Sequence, residues 1–261
     1  MKPSLQRWRH LSQFLFLFAS LGWLLWVIFG NRYTVHHGCP YATVCFGMNR
    51  LALFALWRTA AGIAAIFGLL VLVWTMFRGR SFCAWICPLG TAQEYLYSLR
   101  GKKYRVKHQI PKFYDRKLAF VKYLVLLITL ITSVFGVAWI YILACPMNAL
   151  AMLPRLAAPG LLLLAAILIL ALFVERAWCR FLCPYAALMN LFEKIGSVVG
   201  IKRRKIMRNL ERCTDCGVCN LYCPMNIDLL ADEYVHDPNC IQCGLCAEKC
   251  PKGQTVVKEK E

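Results

Sequence analysis

Acidic residues are scarce in this sequence, which has 13 Asp and Glu against 31 Lys and Arg and a formal net charge of +18. A basic excess of this size can indicate a nucleic-acid-binding protein. Here, however, the positive charges lie beside apolar segments, as in membrane proteins whose basic loops stay on the cytoplasmic side. We therefore expect no nucleic-acid partner and assign the charge to membrane orientation.

The sequence also lacks the short motifs of nucleotide and hydrolytic chemistry. It contains no P-loop, no glycine fingerprint for a dinucleotide and no recognisable pairing of a nucleophile with a base. We therefore predict neither hydrolysis nor nucleotide binding, and we assign no catalytic residue.

Charged residues make up only 17% of the chain, whereas 59% is hydrophobic and the mean hydropathy is +0.52. Apolar runs occur at about residues 11–30, 53–77, 118–143 and 156–177. A helix of twenty residues spans about 30 Å, the thickness of the hydrocarbon layer. The sequence therefore predicts four transmembrane helices, the first of them an uncleaved anchor.

The distribution of basic residues sets the predicted orientation. Only four of the 31 fall on the outer side in this topology: Arg32, Arg50, Arg58 and Arg155. Because basic loops remain in the cytoplasm, both termini are predicted to be cytoplasmic and the protein to be a multi-pass protein of the inner membrane.

The most specific pattern is a pair of cysteine runs near the end of the sequence. Each run reads Cys-x2-Cys-x2-Cys-x3-Cys-Pro. Bacterial two-cluster ferredoxins use this spacing, and the fourth cysteine of each run binds the cluster of the other run. The predicted ligands of one 4Fe–4S cluster are Cys213, Cys216, Cys219 and Cys250. Those of the second are Cys240, Cys243, Cys246 and Cys223.

The shape of the cluster explains this spacing. Three thiolates with two residues between successive cysteines let a tight loop wrap one cubane, and the proline turns the fourth ligand away. Gly217 and Gly244 suit a backbone that approaches a cluster closely. A zinc ribbon is the alternative, but it needs Cys-x2-Cys pairs rather than runs of four. Thiolate ligands require a reducing compartment, which again places this end in the cytoplasm.

An internal repeat relates the two halves of the apolar region. Arg80-Ser-Phe-Cys83-x3-Cys87-Pro aligns with Arg176-Ala-Trp-Cys179-x3-Cys183-Pro, 96 residues later. Two spans per half give both halves the same orientation, so the halves are expected to be related by a pseudo-two-fold axis along the membrane normal. If each motif continues the preceding helix, its two cysteines lie on one helix face.

Such an axis would bring four cysteines together at the cytoplasmic edge of the membrane: Cys83, Cys87, Cys179 and Cys183. We predict a third iron–sulfur cluster at this inner four-cysteine site, with two thiolates from each half. Ordinary packing thiols, palmitoylated cysteines and another metal or redox use remain alternatives.

Three further cysteines, Cys39, Cys45 and Cys145, fall on the outer side. A disulfide of Cys39 with either of the others is compatible with an oxidising space, and an outer redox cofactor is the second interpretation. His36 and His37 lie in the same loop, where a solvated role and a role as ligand or quinol proton acceptor are both open.

The predicted fold is therefore an all-α membrane domain at residues 1–200, with repeats at about 11–100 and 118–196, followed by a cytoplasmic domain at 201–261. The second domain is expected to be a small α+β, bacterial two-cluster ferredoxin-like unit.

With these motifs in place, the chain resembles the NapH-type ferredoxin-like membrane proteins and their NosR and CcoG relatives. The resemblance rests on the two Cys-x3-Cys-Pro motifs and the two ferredoxin runs, and it extends over nearly the whole chain. It implies oxidation of membrane quinol and transfer of the electrons toward periplasmic reductases through iron–sulfur or haem proteins.

The resulting hypothesis is an electron-transfer subunit of a quinol dehydrogenase, which relays electrons between the quinone pool or a cytoplasmic donor and a redox partner. A basic loop from Arg100 to Lys107 and the run Lys202–Lys205 could bind an acidic partner or could simply set the topology. Two alternative functions are an electron-donating maturation factor for a metalloenzyme and a structural iron–sulfur scaffold.

Overall fold

The computed structural model describes residues 4–30, 41, 44, 60–135, 145, 158–201, 204–252 and 256–260. Helices and turns occupy these residues as far as 201, and a small cysteine-rich unit with a two-stranded sheet follows. The long helices are α1 (Ser4–Gly30), α2 (Ala60–Arg78), α4 (Pro88–Ser98), α7 (Val121–Val134), α8 (Ala158–Phe173) and α9 (Pro184–Val198). The short ones are α3 (Ser81–Trp85), α5 (Gly101–Lys107), α6 (Lys112–Leu118), α10 (Val218–Leu221) and α11 (Leu245–Lys249).

Strands β1 (Arg204–Arg208) and β2 (Val256–Lys260) frame the cysteine-rich unit. They pair antiparallel with Ile206 opposite Lys258, and Met207 forms an additional bridge to Tyr234. The described chain is thus mostly helical, as the sequence predicts, and its one sheet closes the C-terminal unit.

Apolar helices differ in how far they meet the requirements of a membrane span. The stretch Lys112–Val134 has 23 residues and a mean hydropathy of 1.9, which is long and apolar enough to cross a bilayer. Ala65–Arg78 and Pro159–Phe173 are apolar but shorter. Within the described residues, one stretch therefore qualifies as a span by length and composition, whereas the sequence predicts four.

The two Cys-x3-Cys motifs do not continue the helices before them, which corrects the conditional expectation of one helix face. Helix α2 ends before Gly79, whose φ of +61° is left-handed. Helix α8 ends before Arg176, a non-glycine residue with a φ of +53°. A left-handed residue cannot propagate a right-handed helix, so each motif begins on a fresh turn.

Both motifs end in the same local structure. Cys87 and Cys183 are the residues directly before α4 and α9, with ψ angles of 115° and 111°. Pro88 and Pro184 then open these helices, where proline's fixed φ and missing N–H cost nothing. The repeated Cys-Pro therefore forms an extended cysteine followed at once by a helix.

The helices after the motifs cross over between the two halves of the repeat. Helix α9 from the second half packs against α2 of the first, and α4 from the first half packs against α8 of the second. Their contact is close at Gly196 of α9, where a Cβ would lie 3.1 Å from the Met76 side chain on α2. Each half thus completes its packing with a helix from the other.

One hydrophobic core joins the helical region to the cysteine-rich unit. It contains Phe82 and Met189 from the helices together with Ile206, Ile227 and Ile241 from the C-terminal unit. Polar contacts reinforce the same interface, since Gln109 Nε2 donates to the Leu221 carbonyl at 2.9 Å and Lys112 pairs with Asp228 at 2.7 Å.

Candidate metal centres

The structure gathers four cysteines from both runs around a first cavity in the C-terminal unit. The cysteines are Cys213, Cys216, Cys219 and Cys250. The cavity encloses about 350 Å³ and is also lined by Arg208 and Lys252. Cys216 is exposed, and Arg208 Nη1 lies 3.8 Å from the Cys213 sulfur. This cavity is therefore the one closer to solvent, and it carries positive charge at its rim.

A second cavity of about 310 Å³ lies deeper in the same unit. Its cysteines are Cys223, Cys240, Cys243 and Cys246. The remaining wall is apolar and includes Ile206, Met225 and Ile227, all of them buried. Both quartets have the membership expected from the spacing, with the last cysteine of each run contributed to the cavity of the other.

A left-handed glycine stands directly after the second cysteine of each run. Gly217 has a φ of +72° and Gly244 a φ of +73°, and each directly precedes a short helix. Those helices, α10 and α11, carry the third cysteines, Cys219 and Cys246. Glycine adopts this left-handed conformation without the cost that a Cβ imposes, which is why the turn follows the second cysteine in both runs.

In the part of the chain that the structure describes, no three His, Cys, Asp or Glu side chains converge as ligands of one metal ion would. Four cysteines instead line each of the two cavities. A four-thiolate set around a cavity fits a polynuclear iron–sulfur cofactor, whose ligands are spread over the corners of a cubane.

The two Cys-x3-Cys-Pro motifs also lie next to each other, since side chains of each are hydrogen-bonded to the backbone of the other. Cys83 and Cys179 are buried, and Cys87 and Cys183 are partly buried. Burial, followed by the charges of Cys179 and Cys83, raises the pKa of the Cys183 thiol, and the same influences act on Cys87. Burial and the neighbouring cysteines thus disfavour the thiolate form, and a bound cationic centre would favour it.

Two arginines cross between the motifs in a reciprocal way. Arg80 of the first half donates from Nη2 to the carbonyl of Cys179 at 3.2 Å, and Arg176 of the second half donates from Nη1 to the carbonyl of Cys83. Both side chains are fully buried. Because Arg80 and Arg176 occupy equivalent positions of the repeat, the structure reproduces the sequence symmetry at the level of single hydrogen bonds.

A buried carboxylate compensates one of these arginines. Glu94 on α4 pairs with Arg176, and its other oxygen lies 2.6 Å from Arg9 Nη2 on α1. Burial alone would raise the pKa of Glu94, but the adjacent Arg176 and Arg9 outweigh it and lower the pKa to about 2. The carboxylate is therefore ionised at neutral pH and ties α1, α4 and the second motif together.

The second half has an amide where the first half has this acid. Glu94 aligns with Asn190 in the repeat. In the second half the hydrogen-bond acceptor is not a carboxylate on the helix but Asn239 Oδ1 of the C-terminal unit. Arg80 donates to it at 3.3 Å, Asn190 at 3.1 Å, and Lys122 also donates to it. Asn239 directly precedes Cys240, so the inner four-cysteine site and the second cavity share this hydrogen-bonded residue.

Two further contacts connect the helical region to the second cavity. Gln6 on α1 donates from Nε2 to the Cys243 carbonyl at 2.9 Å. The buried core that contains Cys83 also contains Cys240, Cys243 and Cys246. The inner four-cysteine site and the second cavity are therefore neighbours.

Gly90 allows the two motifs to approach, which gives a direct prediction. A Cβ at this position would lie 2.9 Å from the Cys83 carbonyl oxygen and 3.1 Å from Arg176 Nη1. We expect Gly90→Ala to lower the free energy of unfolding by about 1–3 kcal/mol through overpacking, as measured by thermal denaturation. Gly22→Ala is the control, because that helical glycine has nothing within 4 Å of the added carbon. Equal melting temperatures for the two variants would contradict this packing.

The outer cysteines are only partly accounted for. Cys145 is buried, whereas Cys39, Cys45, His36 and His37 lie outside the described residues. Both the disulfide and the outer redox cofactor therefore stay predictions.

Sequence reasoning missed the residues that surround the inner four-cysteine site. The sequence patterns assign no individual role to Arg9, Arg80 or Arg176, although all three are buried. The repeat contained a usable signal, since an arginine stands three residues before the first cysteine of both motifs. Glu94 and Asn239 had no comparable signal, because their roles depend on contacts across 82 and 159 residues.

Family models match the chain in the same pattern as the repeat. A model described as a 4Fe-4S binding domain matches twice, at residues 60–107 and 156–206, and a 4Fe-4S dicluster domain matches at 205–251. The ferredoxin-type protein NapH of Escherichia coli is 27% identical over 223 residues, which cover 80% of this chain and 73% of NapH. Proteins named MauN, NirI and NosR also match. This chain belongs to the NapH/NosR-type 4Fe–4S ferredoxin family.

Two further relatives are similar over shorter stretches. YccM of Escherichia coli is 33% identical over 156 residues, which are 57% of this chain but only 42% of YccM. The uncharacterised protein MJ0750 of Methanocaldococcus jannaschii is 30% identical over 66% of this chain and 68% of its own length. No solved structure matches the chain.

Membership in this family supports two coarse conclusions. The C-terminal unit is a 4Fe–4S ferredoxin-like domain, and the protein is an iron–sulfur protein with a role in electron transfer.

Proposed function

We propose that this chain is a membrane-embedded conduit that carries electrons between a cytoplasmic pair of clusters and redox partners in or beyond the membrane. The observation that carries the proposal is the contact between the inner four-cysteine site and the second cavity. Arg80 donates to the carbonyl of Cys179 and to the side chain of Asn239, which directly precedes Cys240. Cys83 and Cys243 belong to the same buried core. A chain of adjacent thiolate sites is what stepwise electron transfer requires.

In this proposal, the cavity quartets hold two 4Fe–4S clusters and the inner four-cysteine site holds a third. Each cluster, when bound, supplies a one-electron carrier whose potential depends on charge, hydrogen bonds and exposure. The chain tunes these factors differently at each site. Arg80 and Arg176 place positive charge against the inner thiolates, while the apolar wall around the second cavity excludes water.

We further propose that residues 1–200 form four transmembrane helices in the cytoplasmic membrane and that 201–261 form the cytoplasmic ferredoxin domain. Support comes from Lys112–Val134, the shorter apolar helices, and the large apolar side chains that α1 exposes, such as Phe18 and Phe29. The excess of basic residues in the predicted inner loops supports cytoplasmic termini.

A cleft at the predicted membrane edge supports quinol as the electron donor. It lies between α7, α9 and the segment 227–239, and it encloses about 1470 Å³ including its open mouth. Tyr123 and His236 line it, and it reaches Asn239 beside Cys240. An aromatic side chain, a proton-accepting imidazole and a nearby thiolate site are suitable surroundings for a quinol that gives up electrons and protons.

The proposed activity is therefore that of a quinol dehydrogenase-type subunit that passes electrons to iron–sulfur or haem partners. The names of two relatives, ferredoxin-type protein NapH and methylamine utilization ferredoxin-type protein MauN, are consistent with service to different redox systems. An electron-donating maturation factor and a structural scaffold are the competing functions.

The test is anaerobic reduction of the purified protein by a short-chain quinol, followed by EPR. We expect cluster signals with quinol, and we expect Ala231→Trp, which fills the cleft, to slow their appearance at least several-fold without affecting reduction by dithionite. Val198→Trp serves as the control, because Val198 is 88% exposed.

Other outcomes would reject the quinol function. Reduction of metal ions by the protein without any response to quinol would favour the maturation factor. Clusters that neither quinol nor dithionite can reduce would favour the scaffold.

A further inference from the structure

The sequence contains two Cys-Pro-Tyr tripeptides whose tyrosine rings are in contact, and the proposed function does not involve this contact. One is Cys183-Pro184-Tyr185 at the inner four-cysteine site, and the other is Cys39-Pro40-Tyr41 in the predicted outer loop. The rings of Tyr41 and Tyr185 lie 6.2 Å apart between centroids, with their planes at 81°. Both tyrosines are 5% exposed, so the two distant segments meet inside the protein.

A third ring extends this pair to the inner cysteines. Phe82, the residue before Cys83, lies 6.4 Å from Tyr185 at an interplanar angle of 78°. Edge-to-face contacts at these distances are favourable for aromatic rings. Phe82, Tyr185 and Tyr41 therefore form one column of buried rings, which begins next to Cys83.

Hydrogen bonds hold both tyrosines in place along the helices. Tyr185 donates from its hydroxyl to the Gly68 carbonyl at 2.8 Å, and the Tyr41 hydroxyl is hydrogen-bonded to Thr129 Oγ1. Gly68 precedes the end of α2 at Arg78 by ten residues, which corresponds to about 15 Å along a helix. The column therefore penetrates the helical layer instead of remaining at its cytoplasmic edge.

The direction of the column is set by contacts on α7. Lys122, near the start of that helix, contacts Asn239 of the ferredoxin domain, whereas Thr129 contacts Tyr41 about 10 Å farther along the axis. One turn beyond, Ser133 donates to the Val44 carbonyl at 2.8 Å. The chain from Tyr41 to Val44 thus leads away from the ferredoxin domain.

We propose that the column of Phe82, Tyr185 and Tyr41 carries electrons from the inner four-cysteine site into the helical layer, toward its far side. This inference rests on the proposed function, since it requires an electron carrier at that site. In the sequence, Tyr41 follows Cys39 by two residues, so the column ends at a residue of the predicted outer loop.

The step is a simple one-electron transfer. One electron leaves the inner four-cysteine site, and a one-electron acceptor on the far side of the membrane gains it. No bond forms or breaks, no proton moves, and the rings are not themselves oxidised, because they serve only as the medium between donor and acceptor. Dense packing matters for this role, since a gap in the column has no atoms to couple the two ends.

The experiment places the full-length, cluster-loaded protein in phosphatidylethanolamine–phosphatidylglycerol vesicles that contain trapped ferricyanide. Dithionite is added outside, and loss of ferricyanide absorbance measures electron transfer across the membrane. We expect Tyr185→Leu and Tyr41→Leu each to slow this transfer on the order of tenfold, because a lost ring leaves a cavity that neighbours refill only in part. Tyr185→Phe and Tyr41→Phe, which retain the rings, should remain close to wild type.

Two readouts separate conduction from folding. The EPR spectra and midpoint potentials of the clusters should be unchanged in all four variants. In thermal unfolding of the same loaded proteins, the melting-temperature losses of the two leucine variants should not add in the double variant, because the two rings touch. Since each tyrosine is tested separately, one variant that fails to fold leaves the other as a test.

Two results would overturn the inference in distinguishable ways. If wild-type protein conducts and the folded leucine variants conduct equally fast, the rings only pack the core and the proposed function survives. If wild-type protein has reducible clusters but transfers no electrons to trapped ferricyanide, both the proposed conduit function and the proposed role of the column are wrong.

Discussion

Glu94→Gln is expected to lower the free energy of unfolding by about 3–5 kcal/mol, because it leaves two buried guanidinium groups without their counterion. Arg9 and Arg176 are both almost completely buried, and each pairs with Glu94. Removing one partner of a buried pair is costly, since water cannot replace it. The measurement is the shift in melting temperature of the cluster-loaded protein in detergent.

The matched control is Asp228→Asn, the same loss of negative charge at an exposed pair with Lys112. We expect a cost of at most about 1 kcal/mol there, because solvent screens such pairs. Similar losses for the two variants would show that Glu94 does not compensate buried charge.

The effect of Glu94→Gln should also depend on pH in a defined direction. The folded protein lowers the pKa of Glu94 from 4.5 to about 2, so its stabilisation is complete above about pH 4.5 and disappears as the pH falls toward 2. The difference in melting temperature between wild type and variant should therefore be the same at pH 8 and pH 6 and smaller at pH 4.

Cys223→Ser and Cys250→Ser are each expected to damage the cluster whose other three ligands come from the other cysteine run. Cys223 belongs to the first run but lines the cavity of Cys240, Cys243 and Cys246. Cys250 belongs to the second run but lines the cavity of the first. We therefore expect Cys223→Ser to remove or alter the EPR signal of the buried second cluster, and Cys250→Ser that of the first cluster near solvent.

The control for this exchange is a ligand from within each run. Cys240→Ser should reproduce the spectrum of Cys223→Ser, and Cys213→Ser that of Cys250→Ser. If Cys223→Ser instead resembled Cys213→Ser, each run would bind its own cluster and the cavity membership would be misleading.

The grouping of cysteines around two cavities could be predicted from sequence, because ligation of a cluster would impose local spacing, whereas their role as ligands stays a prediction. Gly217 and Gly244 each stand directly after a second cysteine, where the backbone must turn with positive φ. The equivalence of the two Cys-x3-Cys-Pro motifs could also be found, since Pro88 and Pro184 start matching helices. These features depend on neighbours in the chain, so a single sequence contains them.

The breaks before the motifs could not be derived in the same way. The sequence leaves open whether each motif continues the preceding helix, and the structure shows that it does not, because Gly79 and Arg176 both adopt positive φ after the helix has ended. Glycine permits this conformation, whereas arginine is held in it by bonds to Cys83 and Glu94 from the other half. The backbone conformation of Arg176 therefore depends on contacts with residues more than 80 positions away, which local sequence propensity does not include.

The symmetry of the repeat also hides its functional asymmetry. Glu94 and Asn190 are equivalent positions, yet only Glu94 supplies a charge, while Asn190 shares Asn239 with Arg80 and Lys122. At Asn190, where the second half lacks this acid, the helix is hydrogen-bonded to Asn239 of the ferredoxin domain. A break in the repeat therefore identifies the junction between the two proposed domains.

The most direct measurement is the iron and acid-labile sulfide content per chain, with EPR, of wild type, Cys83→Ala and Cys179→Ala purified without oxygen. A third cluster at the inner four-cysteine site predicts about twelve irons in wild type and about eight in either variant, with the ferredoxin signals retained, given four irons per cubane. Eight irons in all three proteins, with identical spectra, would contradict an electron path through the inner four-cysteine site.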